Sequence, residues 1–378
     1  MPTASLLELE TPALVLDEAV MLANIARLKA RMDRLGVALR PHVKTAKSVE
    51  AARRVLHGGT GPATVSTLKE AEVLFASGVS DILYAVGVAP QKLARVQALR
   101  SAGCDIAVVL DCAAQAHSVI EASRSGPPIP VLIEIDSDGH RSGIRPQDPT
   151  LEALGRLLTD GGVELRGVMT HAGESYGAVG EAALAAFAEQ ERAAAVEAAD
   201  RLRAAGLDCA VVSVGSTPTA HFARDLSGVT EVRAGVYVFF DLVMAGIGVC
   251  QVCDIALSVL TTVIGHQAER GWIVVDAGWM ALSRDRGTAD QAVDQGYGLV
   301  CDLEGRPLGE LIVVSANQEH GIVALRPGAR GPAPDLPVGT RLRILPNHAC
   351  ATGAQFDDYA VLPASGGPLQ SWPRFRGW

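Results

Sequence analysis

The chain has 378 residues, of which 48% are hydrophobic and 20% charged, and its formal net charge is −9 with a pI of about 5.5. This composition is typical of a globular protein, and the length allows one large domain and a smaller one. An acidic chain without a long Lys/Arg run is unsuited to binding nucleic acid or anionic membranes.

The N-terminal segment and the cysteines predict a cytoplasmic protein. Residues 1–18 carry acidic groups inside an apolar stretch and lack a basic flank, unlike a signal peptide. No apolar run reaches the ~18 residues that a membrane span needs. The seven cysteines are scattered along the chain, as is typical of reduced thiols in the cytosol.

The first two thirds of the chain alternate between strand-like and helix-like segments. Residues 11–17 predict a single strand, and 17–35 have helical spacing. Eight apolar, β-branched runs follow, at 37–45, 63–68, 81–86, 105–111, 129–136, 165–173, 209–216 and 231–240. Helical spacing is clearest at 90–102, at 113–124 and before the seventh run. Such alternation is typical of a parallel sheet covered on both faces. It predicts a (β/α)8 barrel, although a doubly wound open sheet fits the same pattern.

After about residue 250 the pattern changes to strands joined by Gly/Pro turns. Strand-like segments occur at 254–267, 271–279, 309–325 and 339–352, without helices between them. They predict a smaller antiparallel β domain, which the strand at 11–17 could join. We therefore predict a barrel over residues 17–248 and a β domain made of residues 1–16 plus 249–378.

The ends of the predicted barrel strands carry the groups that point to chemistry, since barrel active sites lie at the carboxyl ends. Lys44 ends the first strand, where an ammonium group is costly unless it is paired or converted to a Schiff base. Alone, such a residue is more often a lysine at the solvated mouth of the barrel. The Gly-Ser-Thr-Pro-Thr turn at 215–219 offers N–H groups and hydroxyls for a phosphate, although such turns are mostly ordinary loops. Together they fit a cofactor with an aldehyde and a phosphate.

Six motifs carry a resemblance to a known family. They are RPHVKTAKS (40–48), EIDSDGHRSG (134–143), THAGESY (170–176), SVGSTPT (213–219), RAGVYVFFD (233–241) and PNHACATG (346–353). In this order they resemble the alanine-racemase-like (fold type III) pyridoxal-phosphate (PLP) enzymes, within the D-threonine aldolase and D-serine dehydratase branch. The resemblance covers nearly the whole chain.

The resemblance implies a role for individual residues. Lys44 would be the Schiff-base lysine and the catalytic base. The other cofactor-binding positions would be Gly215, Ser216 and Thr217 at the phosphate with Gly235 and Tyr237 near it, Arg141 near the phenolic oxygen, Tyr176 near the pyridine nitrogen, and His171 against the ring or in a buried hydrogen bond. The family also implies a homodimer.

His348 and Cys350 form a candidate metal site. On an extended strand, residues two apart face the same side, so imidazole and thiolate could converge on one ion. An arbitrary His-x-Cys pair is more often structural. Here it resembles the metal pair of D-serine dehydratases, whereas D-threonine aldolases more typically show His-x-Asp. The soft thiolate favours zinc, with manganese or magnesium as alternatives.

The resemblance implies that the enzyme eliminates water from D-3-hydroxy amino acids. D-threo-3-hydroxyaspartate would give oxaloacetate and ammonia, and D-serine would give pyruvate. The freed Lys44 would remove the α-proton, while the metal binds the β-hydroxyl. The main alternative is retro-aldol cleavage to glycine and an aldehyde. A racemase would need a second base, for which the β domain shows no matching motif. A non-catalytic PLP carrier would not need the C-terminal domain.

Three further motifs have both a structural and a functional interpretation. Cys250 and Cys253 form a C-x-x-C pair without a second pair, which favours a structural role. Residues 317–321 (NQEHG) could support the metal or be solvated edge residues. Residues 276–288, rich in Arg and Gly, could approach the substrate or form a surface loop with paired charges.

Overall fold

The computed structural model describes residues 6–378, which form two compact units. One unit comprises Arg27–Gly235 together with Phe375–Trp378, and the other comprises residues 6–26 together with Val236–Arg374. These bounds differ from the expected 17–248 because the first helix crosses from one unit to the other and the chain after residue 235 packs with the β strands. Residues 1–5, which fall in the predicted β domain, lie outside the described residues.

The first unit is built around a parallel sheet. Within Arg27–Gly235, all of which the structure describes, eight parallel strands pair in the order β2-β9-β8-β7-β6-β5-β4-β3. The strands are β2 (Ala38–Leu39), β3 (Ala63–Val65), β4 (Asp81–Gly87), β5 (Asp105–Leu110), β6 (Val131–Ile135), β7 (Leu165–Thr170), β8 (Val211–Val214) and β9 (Glu231–Val232). The helices, counted from the one that precedes β2, are α1 (Glu18–Leu35), α2 (Val49–Val55), α3 (Leu68–Ala76), α4 (Leu93–Ser101), α5 (Ala113–Ser123), α6 (Thr150–Asp160), α7 (Glu181–Ala204) and α8 (Thr217–Phe222).

Backbone hydrogen bonds join the two edges of this sheet. The Thr64 amide donates to the Pro41 carbonyl (2.8 Å), and the Val43 amide donates to the Thr64 carbonyl (2.9 Å). They connect the chain after β2 to β3, so that the sheet closes on itself. The predicted (β/α)8 barrel is confirmed, and the open-sheet alternative is wrong.

The first and last barrel strands are much shorter than predicted. The runs at 37–45 and 231–240 contribute only two residues each to the ladder. In the first run the chain turns after His42, and in the last a 3₁₀ turn at Val236–Val238 follows the strand. The apolar pattern extends past the strands because these turns are themselves largely buried.

The second unit is a β domain. Its strands are β1 (Ala13–Asp17), β10 (Leu257–Gln267), β11 (Trp272–Val275), β12 (Leu299–Cys301), β13 (Pro307–Ala316), β14 (Gly321–Leu325), β15 (Arg341–Leu345), β16 (Asp358–Leu362) and β17 (Gln370–Pro373). Short helices α9 (Leu242–Gly246), α10 (Trp279–Leu282) and α11 (Ala349–Gly353) lie between them. In the described chain, β10-β11-β14-β13-β12-β15 form a closed ring, because β10 pairs with both β11 and β15.

The strand near the N-terminus joins this β domain, as predicted. β1 pairs antiparallel with β10 and parallel with β16, the latter being an exception to the antiparallel pattern. At the other end of the chain, Phe375–Trp378 return to the barrel unit, where the Phe375 amide donates to the Lys47 carbonyl (2.8 Å). No helix in the described part of the chain is long and apolar enough to cross a bilayer.

Alternating inward positions of the strands fill the barrel interior. One cluster comprises Leu83, Ala107, Val109, Leu132 and Met169, which come from four successive strands and are each at most 4% exposed. Since neighbouring strands contribute one or two side chains each, the cluster holds β4 to β7 together.

We expect Leu132→Ala to lower the free energy of unfolding by about 2–5 kcal/mol, because truncation leaves a cavity in a close-packed core. Val86, on β4, is 43% exposed, and Val86→Ala should change the free energy of unfolding by about 0.5 kcal/mol or less. Urea unfolding followed by circular dichroism measures both. Equal shifts of the two variants would contradict the assignment of Leu132 to the core.

Candidate active site

Lys44 lies in a tight turn directly after the chain leaves the barrel sheet. The turn is held by an ion pair between Lys47 and the fully buried Glu70 (Nζ to Oε1, 2.9 Å). Glu70 also accepts a hydrogen bond from the Ser66 amide (2.7 Å). Lys47 adopts φ 44°, a left-handed conformation that is costly for a residue other than glycine. The surrounding structure therefore keeps Lys44 at a defined place on the rim.

His42 and His171, two largely enclosed but partly exposed histidines beside Lys44, are neutral. Burial lowers the pKa of His42 well below its usual value, and the positive charges of Lys44 and Arg233 lower it further. Burial, with Lys44 as the next cause, lowers the pKa of His171 to about 3. Neither ring therefore adds positive charge next to Lys44. His171 also lies 6.0 Å from the Tyr176 ring, centroid to centroid.

The structure brings the end of β7 next to the end of β8. His171 Nδ1 lies 2.9 Å from the Gly215 carbonyl oxygen, which can only accept, so Nδ1 carries the proton. Ser216 and Thr217 are both almost fully buried. The Ser216 and Thr219 side chains form a reciprocal capping box at the start of α8. The 215–219 turn is therefore an ordered group of hydroxyls and amides.

Two glycines allow backbone segments to approach closely at this rim. Gly215 has φ 135°, and a Cβ atom there would collide with the Arg233 carbonyl oxygen. A Cβ atom at Gly235 would lie 3.0 Å from the His42 carbonyl oxygen. Because β9 runs between β8 and the Lys44 turn, these two glycines permit the 215–219 turn and Lys44 to share one side of the barrel.

A buried polar network lies in the barrel beneath this rim. The Arg233 guanidinium donates to Ser213 Oγ (2.8 Å) and to the Thr170 carbonyl. Ser213 Oγ donates to Glu231 (2.7 Å), which also accepts from Arg40 Nε (2.7 Å). Burial lowers the pKa of Arg233, and carboxylates such as Glu191 and Glu231 raise it. The network supports the ends of β7, β8 and β9 from below.

The remaining predicted cofactor residues are placed less tightly. Arg141 is half-exposed, and its guanidinium lies 3.8 Å from Glu134, too far for a direct hydrogen bond. Tyr237 is fully buried but belongs to the β unit. Burial raises the pKa of its hydroxyl, so it is protonated at neutral pH.

His348 and Cys350 lie in the β unit, but not on an extended strand as predicted. His348 has an extended backbone and caps α11, while Cys350 is inside that short helix. The expected strand geometry is therefore wrong. A hydrogen bond between their side chains still brings the imidazole and the thiol together.

Asp285 orients His348 in a way that fits a metal ligand. Its carboxylate lies 2.6 Å from His348 Nδ1, which leaves Nε2 as the ring nitrogen able to bind an ion. Burial lowers the pKa of His348, but the hydrogen bonds to Asp285 and Cys350 raise it to about 11, so a bound ion would have to displace the proton on Nε2. Imidazole and thiol suit zinc, although no group of three potential ligands occurs within residues 6–378. The other coordination positions would be available to water or substrate.

Sequence reasoning missed two acidic residues that form hydrogen bonds with the predicted site, Asp285 with His348 and Glu191 with the 215–219 turn. Asp285 lies within 276–288, where only the arginines and glycines were noted, and Glu191 lies in the middle of a long helix. Of the other motifs, Glu319 and His320 are exposed in the turn between β13 and β14. Cys250 is buried and Cys253 exposed, and the described chain contains no disulfide. The roles considered for residues 317–321 and for the Cys250 and Cys253 pair remain predictions.

Comparison with known proteins links both units to one group of enzymes. Residues 16–243 match the family model described as alanine racemase, N-terminal domain, and 256–362 match the putative serine dehydratase domain. D-threo-3-hydroxyaspartate dehydratase from Delftia sp. (strain HT23) is 58% identical over 99% of both chains. D-serine dehydratase from Dictyostelium discoideum is 29% identical over 98% of both. D-threonine aldolase from Arthrobacter sp is 30% identical over 96% of this chain and 91% of its own.

Solved structures of the Delftia enzyme superpose on this chain. The enzyme itself gives a TM-score of 0.95, at 58% identity and with coverage of 99% of this chain and 100% of its own. A histidine-to-alanine variant and a cysteine-to-alanine variant in a metal-free form each give 0.96, at 58% and 57% identity. The first covers 99% of this chain and 97% of its own, and the second 99% and 100%. The two replaced residues are two positions apart, the same spacing as His348 and Cys350.

We expect His171 to remain a neutral Nδ1–H tautomer from pH 5 to pH 8, roughly 2 or more pH units above its pKa of about 3. The unfolded chain takes up this proton near pH 6.5, about the ordinary value, and the folded chain does not. The stability contribution of His171 is therefore complete above about pH 6.5 and falls as the pH drops toward 3. Long-range ¹H–¹⁵N NMR, assigned with His171→Gln, measures the tautomer. Titration of this ring near pH 6.5 would contradict the burial argument.

Proposed function

Because this chain belongs to the alanine-racemase-like family of fold type III PLP enzymes, in the D-serine dehydratase and D-threonine aldolase branch, we propose that it is a dehydratase that converts D-threo-3-hydroxyaspartate to oxaloacetate and ammonia. The observation that carries this proposal is the 58% identity to the Delftia dehydratase over 99% of both chains. D-serine is a second expected substrate, since a D-serine dehydratase matches over nearly the full length.

The barrel residues fit a bound PLP. Lys44 Nζ would carry the cofactor through its aldehyde carbon, and the 215–219 turn would hold its phosphate with buried hydroxyls and amides. Gly235 would leave room beside the phosphate, with Tyr237 near it. Tyr176 would approach the pyridine nitrogen, and Arg141 the phenolic oxygen once its loop moves closer.

Lys44 would then transfer the proton at the reacting carbon. Bound PLP supplies an electron sink for the pair left behind when the α-proton is removed. The amine of Lys44 is the base that takes that proton, and the neutral His42 and His171 add no competing positive charge beside it. The His171 ring, fixed by the Gly215 carbonyl, would lie against the cofactor ring.

His348 and Cys350 would hold a divalent metal, which we propose to be zinc. A bound ion supplies Lewis acidity that makes the β-hydroxyl a better leaving group. Asp285 fixes the His348 ring through Nδ1 and leaves Nε2 for the ion. The metal-free form of the dehydratase cysteine variant supports this pair as the ligands, because the residues replaced in the histidine and cysteine variants have the same spacing as His348 and Cys350.

Retro-aldol cleavage is the nearest competing reaction, since a D-threonine aldolase also matches this chain over most of its length. Cys350 stands where aldolases more typically have aspartate, which favours the dehydratase. A non-catalytic PLP carrier does not fit a chain whose residues 256–362 match the putative serine dehydratase domain. We further propose a cytoplasmic homodimer, as the family resemblance implies.

The reaction assay distinguishes these functions. PLP- and zinc-loaded protein is incubated with D-threo-3-hydroxyaspartate, D-serine and D-threonine, with the L isomers as controls. We expect ammonia and a 2-oxo acid from the first two. Glycine plus an aldehyde would establish the aldolase instead.

Lys44→Ala should lose both the absorbance of lysine-bound PLP and the activity, whereas Lys29→Ala, at an exposed surface pair with Asp33, should retain both.

The metal site gives a graded prediction. Asp285→Asn removes the charged partner of a ligand and should weaken metal binding roughly 10- to 100-fold, as is usual for such second partners. Cys350→Ala removes a ligand and should weaken binding further, while the absorbance of lysine-bound PLP is unchanged. Metal content after desalting and the PLP spectrum measure the two effects. Cys112→Ala, at an exposed thiol, is the control. Full metal content in Cys350→Ala would exclude this thiol as a ligand.

A further inference from the structure

Glu191 is a buried carboxylate on α7 that has no role in the proposed reaction. It is 1% exposed, and the neighbouring buried positions on the same face of the helix are apolar, among them Leu184, Ala188 and Ala195. Burying a carboxylate costs free energy unless hydrogen bonds replace its hydration. A residue that only packed α7 against the barrel would be apolar like its neighbours, so the contacts of Glu191 indicate its role.

Glu191 accepts hydrogen bonds from the chain after β7 and from the 215–219 turn after β8, where the phosphate would bind. Its Oε1 accepts from the Ala172 amide (2.8 Å), at the end of β7. Its Oε2 accepts from Thr219 Oγ1 (2.7 Å), in the 215–219 turn. The Gly215 amide, at the end of β8, is a third donor. One carboxylate thus connects β7 with β8 beyond Met169 and Ser213, the last pair of residues in their ladder.

The carboxylate also determines the direction of the hydrogen bonds within the turn. An ionised carboxylate can only accept, so the single hydroxyl hydrogen of Thr219 points to Glu191. The oxygen of Thr219 then accepts from the Ser216 amide (3.1 Å). Ser216 Oγ in turn accepts from the Thr219 amide (3.2 Å) and lies 3.0 Å from Ser175 Oγ. The orientation of Ser216 therefore depends on Glu191 through Thr219.

We propose that Glu191 is a positioning residue that prearranges the 215–219 turn for the PLP phosphate, acting through Thr219 and Ala172. This inference rests on the proposed function, because it requires that the turn binds that phosphate. Burial raises the pKa of Glu191, whereas the three hydrogen-bond donors and the positive charge of Arg233 lower it and favour the ionised carboxylate.

Glu191→Gln tests the charge and the hydrogen-bond direction at nearly constant shape. The glutamine oxygen can accept from either Ala172 or Thr219, but its NH₂ group then meets the other donor. Either the Ala172 amide or the Thr219 hydroxyl therefore loses its carboxylate acceptor, and the turn must rearrange. Glu189→Gln is the matched control, since Glu189 is on the same helix but pairs with Arg192 at the surface (2.5 Å).

The readout compares PLP with pyridoxal, which has the aldehyde but lacks the phosphate. Each full-length variant, freed of cofactor, is titrated with both compounds, and the absorbance of the lysine-bound form gives Kd. For Glu191→Gln we expect the Kd of PLP to rise about 10- to 100-fold and that of pyridoxal to change by less than about 3-fold. Glu189→Gln should match the wild type with both.

Thr219 variants test whether the effect passes through this side chain. Thr219→Val, which keeps the shape and loses the hydroxyl, should also weaken PLP selectively, whereas Thr219→Ser should restore binding close to wild type. The double variant Glu191→Gln/Thr219→Val should be no weaker than the worse single variant, because both changes break one interaction.

Two results would overturn the proposal. Equal weakening of PLP and pyridoxal would show a merely structural role, and an unchanged PLP affinity would show none at the phosphate. Should Glu191→Gln fail to fold, Thr219→Val decides by the same two criteria. A wild-type protein without lysine-bound PLP absorbance would instead refute the proposed function, and the role of Glu191 with it.

Discussion

Closure of the parallel sheet is the constraint on which the barrel unit depends. The hydrogen bonds of Thr64 with Pro41 and Val43 bring the chain after β2 between β9 and β3. Parallel strands all have their carboxyl ends on the same side, so closure gathers these ends into one rim. Residues separated by more than a hundred positions in sequence, such as Lys44 and Ser216, thereby come to the same side of one barrel. Without the hydrogen bonds of Thr64, β2 and β3 would lie at opposite edges of an open sheet.

The rim is polar, and buried charges in fixed partnerships support it. Arg233, Glu231 and Arg40 form one connected set beneath it, and Lys47 with Glu70 holds the Lys44 turn. Each of these charges would be costly on its own in a low-dielectric interior, and each has partners at hydrogen-bond distance. Burial combined with neighbouring cations keeps His42 and His171 neutral. The charged groups beneath the rim therefore have their partners without a cofactor, and packing contributes to the charge state of the two histidines.

Sequence patterns predicted the parts of this protein that depend on local order. The eight apolar runs predicted the barrel, and the change after residue 250 predicted the β domain, because strand alternation and turn residues are visible in short windows. The His348 and Cys350 pair was identified, but the strand geometry given for it was wrong, since the choice between strand and helix over five residues depends on tertiary packing. Asp285 and Glu191 were not recognised as site residues. Their roles come from contacts with residues 19 or more positions away, which no local pattern encodes.

The pairing of β1 with β10 has a consequence for how the chain is made. Residues 13–17 leave the ribosome early, but their partner at 257–267 follows about 240 residues later. At roughly 5–20 residues per second, the apolar segment ALVLD waits on the order of 10 to 50 seconds for its neighbour. The return of 375–378 to the barrel unit likewise delays completion of that unit until these residues have been made. Each unit therefore includes segments made before and after most of the other unit, and β1 lacks the strand β10 until residue 257 and those after it have been synthesised.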